Sequence, residues 1–173
     1  MWWLSGVDHL KYNKLDKLKP KAEIRNTIID AQKECMKNKD HVFLVAETDD
    51  FRAIMGMATG HVGDREDEPA LVIDKEGFID ELCVIEEFRE KGVGTQLLDE
   101  LIKRLYEKGA PFIGLGVAVQ NPAVAFYQKQ GFQIKSYWMT RIDKKDCFGH
   151  YNDGDKECEA CKDDNACFKE GVV

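Results

Sequence analysis

Along residues 1–142 the apolar positions fall into two rhythms: short runs with strand-like character, and longer stretches where apolar residues recur at helical spacing. Trp2 to Ser5 reads as a short first strand, and Val7 to Leu18 places Leu10, Lys14, Leu15 and Leu18 at loosely helical spacing. Pro20 suits the first turn of a second helix, whose apolar face carries Ile24, Ile28, Ala31 and Cys35 until Asn38 and Lys39 close it. His41 to Glu47 and Arg52 to His61 have buried-strand patterns, and Thr48-Asp49-Asp50 between them predicts a hairpin. The charged stretch from Asp64 to Pro69 reads as an exposed loop.

Glu76 to Ile85 reads as a central strand with Asp80, Leu82 and Val84 on one face and Ile79, Glu81, Cys83 and Ile85 on the other. Two acids on a strand of this apolar character need a reason. Leu97, Leu98, Leu101, Ile102, Leu105 and Tyr106 form one apolar helix stripe, ended by Lys108-Gly109. Phe112 to Val119 reads as the next strand, Pro122 to Gln130 as a helix stopped by Gly131, and Phe132 to Ile142 as a bent strand or tight pair that closes the sheet. The element order is β-α-α-β-β-β-α-β-α-β.

A chain of 173 residues has room for one domain with a sizeable core. With 43% apolar and 33% charged residues it has the composition of a soluble globular protein. No apolar run approaches the roughly 20 residues that span a bilayer, and Met1-Trp2-Trp3-Leu4 lacks the basic start of a signal peptide, so a cytoplasmic protein without a membrane partner is expected. The net charge of −7 argues against nucleic acid as a partner. That charge is uneven: residues 146–173 hold eight acids against three lysines and so carry −5 of it. The organisation expected is a domain over 1–142 and an acidic, cysteine-rich extension over 143–173.

The chemistry concentrates in Arg89-Glu90-Lys91-Gly92-Val93-Gly94, between a strand and a helix. Glycines at a helix start leave several backbone N–H groups pointing at one spot, and the helix dipole adds positive potential there, which suits a phosphate. Gly92 and Gly94 allow close backbone approach, while Arg89 and Lys91 supply local cations that offset the negative chain. A dinucleotide fingerprint would want glycine where Leu97 stands, and a P-loop would want lysine where Gly94 stands. Both rivals are set aside.

Ile79 to Val84, then Arg89-x-x-Gly92-x-Gly94 and Leu97-Leu98, resemble the first signature of the GNAT superfamily of acyl-CoA-dependent N-acetyltransferases. Asn121-Pro122-Ala123-Val124-Ala125-Phe126-Tyr127 with Gly131-Phe132 resembles the second. The resemblance covers residues ~40–142 and implies an α+β fold with a mixed, mostly antiparallel central sheet flanked by helices. It implies acetyl-CoA as cosubstrate, with pantetheine in a wedge between the strand ending near Val84 and that at Val117 to Val119. Backbone groups at Leu82, Cys83 and Val84 would pair with its amides. Arg89, Glu90, Lys91, Gly92, Val93, Gly94 and Thr95 would hold the pyrophosphate, and Asn121 would touch pantetheine or cap its helix. A backbone N–H near Leu82 would polarise the thioester carbonyl, and Tyr127 would protonate the departing thiolate.

The implied reaction is direct acetyl transfer to a primary amine of a small molecule or of a protein. The acceptor must lose a proton first, and Glu81 and Asp80 are the nearest candidate bases, Glu81 being favoured over Asp80 or water. Against these roles stand bland ones: Tyr127 as a core aromatic, Glu81 as a substrate-binding or solvated acid, His41 and His61 as ordinary strand-end histidines, and Cys35 and Cys83 as core thiols. In the tail, Cys147, Cys158, Cys161 and Cys167 include one Cys-x-x-Cys pair and form a candidate zinc set, with disulfides or plain packing as alternatives. A second reading is a CoA-binding or metal-sensing module with weak or no transferase activity. A homodimer is left open.

Overall fold

The computed structural model describes residues 21–50, 52–64, 75–137 and 139. The expected first strand and first helix, the loop from 65 to 74 and the whole cysteine-rich extension with its candidate zinc ligands lie outside them. Helix α1 (Lys21–Lys37) ends as its sequence predicts: Asn38 N–H donates to Cys35 O at 3.0 Å, and Asn38 Oδ1 accepts from Asp40 N–H at 2.9 Å. Strands β1 (His41–Glu47) and β2 (Ile54–Asp64) form the expected hairpin. Thr48 and Asp50 hold its turn, with Thr48 Oγ1 on Asp50 Oδ1 at 2.6 Å and Thr48 N–H on Ala53 O at 2.9 Å.

Strand β3 (Lys75–Val84) pairs antiparallel with β2, and β4 (Ile113–Gly114) pairs parallel with β3, so the sheet runs β1-β2-β3-β4. Between β3 and β4, a short 3₁₀ turn (Glu86–Phe88) leads into α2 (Val93–Glu107). Helix α3 (Ala123–Lys129) follows β4. Among the described residues, no helix is long and apolar enough to cross a membrane. The architecture is the mixed α+β arrangement that the element order anticipates.

Leu97, Leu98, Leu101 and Leu105 of α2 are buried, the last three completely, and pack on Val42, Ala58, Val62 and Ile79 of the sheet. Glycines in the sheet let α2 come this close. A Cβ on Gly60 would stand 2.5 Å from Phe78 O and 3.3 Å from Leu101 Cδ1, and one on Gly56 would stand 2.9 Å from Leu97 Cδ1.

The structure corrects four details. A bulge places Asp80 as an extra residue, since Thr59 pairs with Glu81 while Gly60 pairs with Ile79. Side-chain parity flips there, so Ile79 joins Leu82 and Val84 on the α2 face and Asp80 joins Glu81 and Cys83 on the other. The strand expected over Phe112 to Val119 pairs only at Ile113 and Gly114, because the chain leaves β3 after Phe78↔Gly114. Of the closing strand expected over Phe132 to Ile142, residues 132–137 form no ladder among the described residues, and 138 and 140–142 lie outside them. Cys83 is buried as expected, whereas Cys35 is only half-buried.

Gly60→Ala is expected to lower stability by about 1–3 kcal/mol through backbone overpacking. Leu101→Ala should lower it by about 2–5 kcal/mol through the cavity it leaves. Urea denaturation of each variant checks both, and a neutral Gly60→Ala would mean that α2 can move off the sheet freely.

Candidate active site

Where β4 leaves β3, the sheet opens. The ladder between them ends at Phe78↔Gly114, while β3 runs on to Val84 and residues 85–92, with the 3₁₀ turn, lead to the start of α2. The opening is a cleft of about 470 Å³ lined by Leu82, Val84, Arg89, Glu90, Gly92, Gly94, Thr95, Ala123, Phe126 and Tyr127. Two stretches, 82–95 and 123–127, meet in it although most of α2 lies between them in the chain.

The loop before α2 has the backbone its glycines suggest. Gly92 takes φ 82° as the residue that starts the helix, a left-handed conformation that glycine adopts without strain, and Glu90 before it takes φ 61°. The first bond of the helix runs from Gln96 N–H to Gly92 O at 3.0 Å, so the amides at Val93, Gly94 and Thr95 precede the ladder, at a helix end of the kind that suits an anion. A Cβ on Gly94 would reach 3.5 Å from Val84 Cγ2 and 3.9 Å from Phe126 Cζ, narrowing the cleft between β3 and α3. Arg89 Nε donates to Val84 O at 3.0 Å, which ties the guanidinium to the end of β3 beside the helix start. Lys91 stands over the Phe88 ring, 5.6 Å from its centroid.

On α3, Tyr127 lies edge-on to Phe126 and to Phe132, with ring centroids 5.2 and 5.7 Å away. Burial raises its phenol above the usual tyrosine value, so the hydroxyl stays protonated at neutral pH. Asn121 Oδ1 accepts from Ala123 N–H at 2.9 Å, which is the helix-capping role open to it from the sequence. Gln130 Nε2 approaches Thr95 Oγ1 at 3.4 Å and links α3 to the first turn of α2.

Glu81 sits on the opposite face of β3. Its Oε2 is buried without a hydrogen-bond partner, and its carboxyl is raised to about 7, first by burial and then by the charge of Asp80. Of the residues singled out in the sequence, Leu82, Val84, Arg89, Glu90, Gly92, Gly94, Thr95 and Tyr127 line the cleft; Cys83, Lys91, Val93, Asn121 and Glu81 do not. Sequence reasoning missed the grouping of His41, His61 and Asp80 on the Glu81 face. His61 Nδ1 lies 2.9 and 3.0 Å from the two Asp80 oxygens, and the His41 and His61 rings stack at 5.2 Å. The register His41↔His61 and the bulge create that grouping, and neither shows in a linear motif.

A glycine-rich helix end, a half-buried phenol and a splayed parallel pair thus meet in one cleft. Residues 11–132 match the sequence profile described as the acetyltransferase (GNAT) family, and the chain belongs to that family. An N-alpha-acetyltransferase of Sulfurisphaera tokodaii is 33% identical over 110 residues, which are 58% of this chain and 61% of that protein. One of Saccharolobus solfataricus is 36% identical over 81 residues, 43% of this chain and 47% of that protein. The chain thus spans about half to three fifths of the length of these curated relatives. Among solved structures, a predicted acetyltransferase of Clostridium acetobutylicum with acetyl-CoA superposes with a TM-score of 0.60 at 20% identity, over 82% of this chain and 88% of the other. A GCN5-related N-acetyltransferase of Ralstonia eutropha gives 0.61 at 18% identity, over 81% and 91%. These two likenesses concern the fold.

Arg89→Ala is expected to weaken CoA binding by about 10- to 100-fold, the loss of a charge-assisted contact. Arg89→Lys should recover part of it. Isothermal titration with CoA measures both, and unchanged affinity would remove Arg89 from the anion site.

Proposed function

We propose that this protein is an acetyl-CoA-dependent N-acetyltransferase that transfers the acetyl group directly to a primary amine, and that the amine is an α-amine at a peptide N-terminus. The meeting of the helix end at residues 92–95 with Tyr127 in one cleft carries this reading. The pyrophosphate of CoA binds the α2 amides with Arg89, and pantetheine lies along the end of β3, against Leu82, Cys83 and Val84. The thioester then reaches the gap where β3 and β4 part.

In the proposed reaction the amine nitrogen attacks the thioester carbonyl carbon, and the backbone N–H at Leu82 stabilises the oxyanion. Glu81 accepts the proton that the ammonium group gives up. Its place on the face away from the nucleotide, with an unpartnered buried oxygen, supports that role. The C–S bond breaks, the departing thiolate takes the Tyr127 hydroxyl proton, and the proton that the nitrogen loses as the tetrahedral intermediate collapses to the amide restores the phenol; the protonated phenol supports this assignment.

The names of the archaeal relatives support an α-amine acceptor. So does the chemistry: freeing an α-amine of pKa near ~8 at pH 7 costs about 1 kcal/mol, against about 4–5 kcal/mol for a lysine amine near ~10.4. A single half-buried carboxylate meets the smaller demand.

The decisive assay follows CoA thiol release with peptides bearing a free N-terminus, the same peptides N-terminally blocked but carrying lysine, and a set of small amines. Turnover confined to free N-termini is expected. Tyr127→Phe and Glu81→Gln should each lower kcat by about 10²–10⁴-fold while CoA affinity is retained. CoA binding without turnover on any amine would overturn the enzyme reading in favour of a binding module; turnover confined to lysine or small amines would overturn only the acceptor.

A further inference from the structure

The face of the sheet opposite α2 carries a grouping that the transferase reading does not use. We propose that His41, His61 and Asp80 form a binding site for a divalent transition-metal ion of the zinc type. One ring nitrogen from each histidine and one oxygen of Asp80 lie within 4.8 Å of one another. Three strands contribute one ligand each. His41 on β1 and His61 on β2 are register partners, and the bulge in β3 turns Asp80 onto their face.

The side chains are already gathered. His61 lies between two rings, with His41 and Phe78 each at a centroid distance of 5.2 Å and an interplanar angle of 23°. Its Nδ1 is within hydrogen-bond distance of both Asp80 oxygens, at 2.9 and 3.0 Å. His41 Nδ1 is buried with no hydrogen-bond partner, a state that protein interiors avoid unless a ligand or another group answers it. Positions far apart in the sequence thus supply two imidazoles and a carboxylate to one place.

Tetrahedral zinc bonds its nitrogen and oxygen ligands at about 2.0–2.2 Å, which sets them roughly 3.3 Å apart. The three atoms need to draw in by about 1.5 Å at most, a movement of the kind small side-chain rotations provide. Two imidazoles with one carboxylate suit zinc and its neighbours in the first transition row; magnesium and calcium prefer all-oxygen sets. The ion would clamp β1, β2 and β3 together across the bulge, on the face away from the CoA cleft.

The test uses the full-length chain after chelator treatment. Because tail thiolates would compete for metal, a variant with Cys147, Cys158, Cys161 and Cys167 replaced by serine is compared with the wild type. Addition of Zn²⁺ is expected to raise the melting temperature of both by about 5 °C or more, with no effect of Mg²⁺. Cobalt bound to the serine variant should give visible absorption bands without sulfur-to-cobalt charge transfer. His61→Gln, His41→Gln and Asp80→Asn should each weaken Zn²⁺ binding in that background by about 100-fold, with CoA affinity and far-UV circular dichroism unchanged. A serine variant with no zinc-dependent rise in melting temperature overturns the proposal. So does zinc affinity that is unaltered by all three substitutions.

Discussion

The α2 leucine stripe rests on a part of the sheet where Gly56, Gly60 and Gly77 present no side chains, and the rest of the molecule is arranged around that close contact. Leu98, Leu101 and Leu105 lose all their exposure there, so the axis of α2 is set against β2 and β3 by packing in which one added methyl is felt. With the helix held at that height, its first turn lies beside Val84, at the point where β3 ends. The amides of its first turn therefore stand beside the sheet opening. An ordinary amphipathic contact yields a ligand cleft because the connection between β3 and α2 is short and carries a left-handed Gly92.

A single bulged residue has the other large effect. If β3 alternated without interruption, Asp80 would face α2 among leucines, and a carboxylate there would be costly. The extra residue moves it beside His61, and it places Ile79 in the core. Glu81 then stands next to Asp80 on the same face, which is one of the two causes that raise its carboxyl. The strand thus divides its duties by face, with Leu82 and Val84 on the cleft and the acids with the histidines behind it.

Much of this was legible in the sequence. The α2 stripe could be read because four leucines at helical spacing leave one plausible buried face, and the Asn38 and Gly109 stops follow from local backbone chemistry. The phosphate-type loop was readable for the same reason: its glycines and cations are contiguous, and their effect is exerted by neighbouring backbone atoms. Asn121 as a cap is again a contact across two residues. The extent of β4 was not readable, because Leu115, Val117 and Val119 continue the apolar run past Gly114, while pairing depends on whether a partner strand stays within hydrogen-bond distance. The His41, His61 and Asp80 grouping was hidden because its members come from three strands and depend on register.

What the sequence by itself determined is the set of local elements, the helix end able to hold an anion, and the family pattern that joins residues 79–98 to residues 121–132. These rest on interactions spanning a few positions, or on motifs whose spacing survives in one dimension. Only the tertiary structure decided that Tyr127 shares a cleft with Gly92 and Gly94, that β3 and β4 part after Phe78, and that Asp80 turns to the histidine face. The physical reason is the same in each case. Strand register and helix docking are set by the collective burial of side chains far apart in the chain, and a shift of one residue reverses which face each one meets.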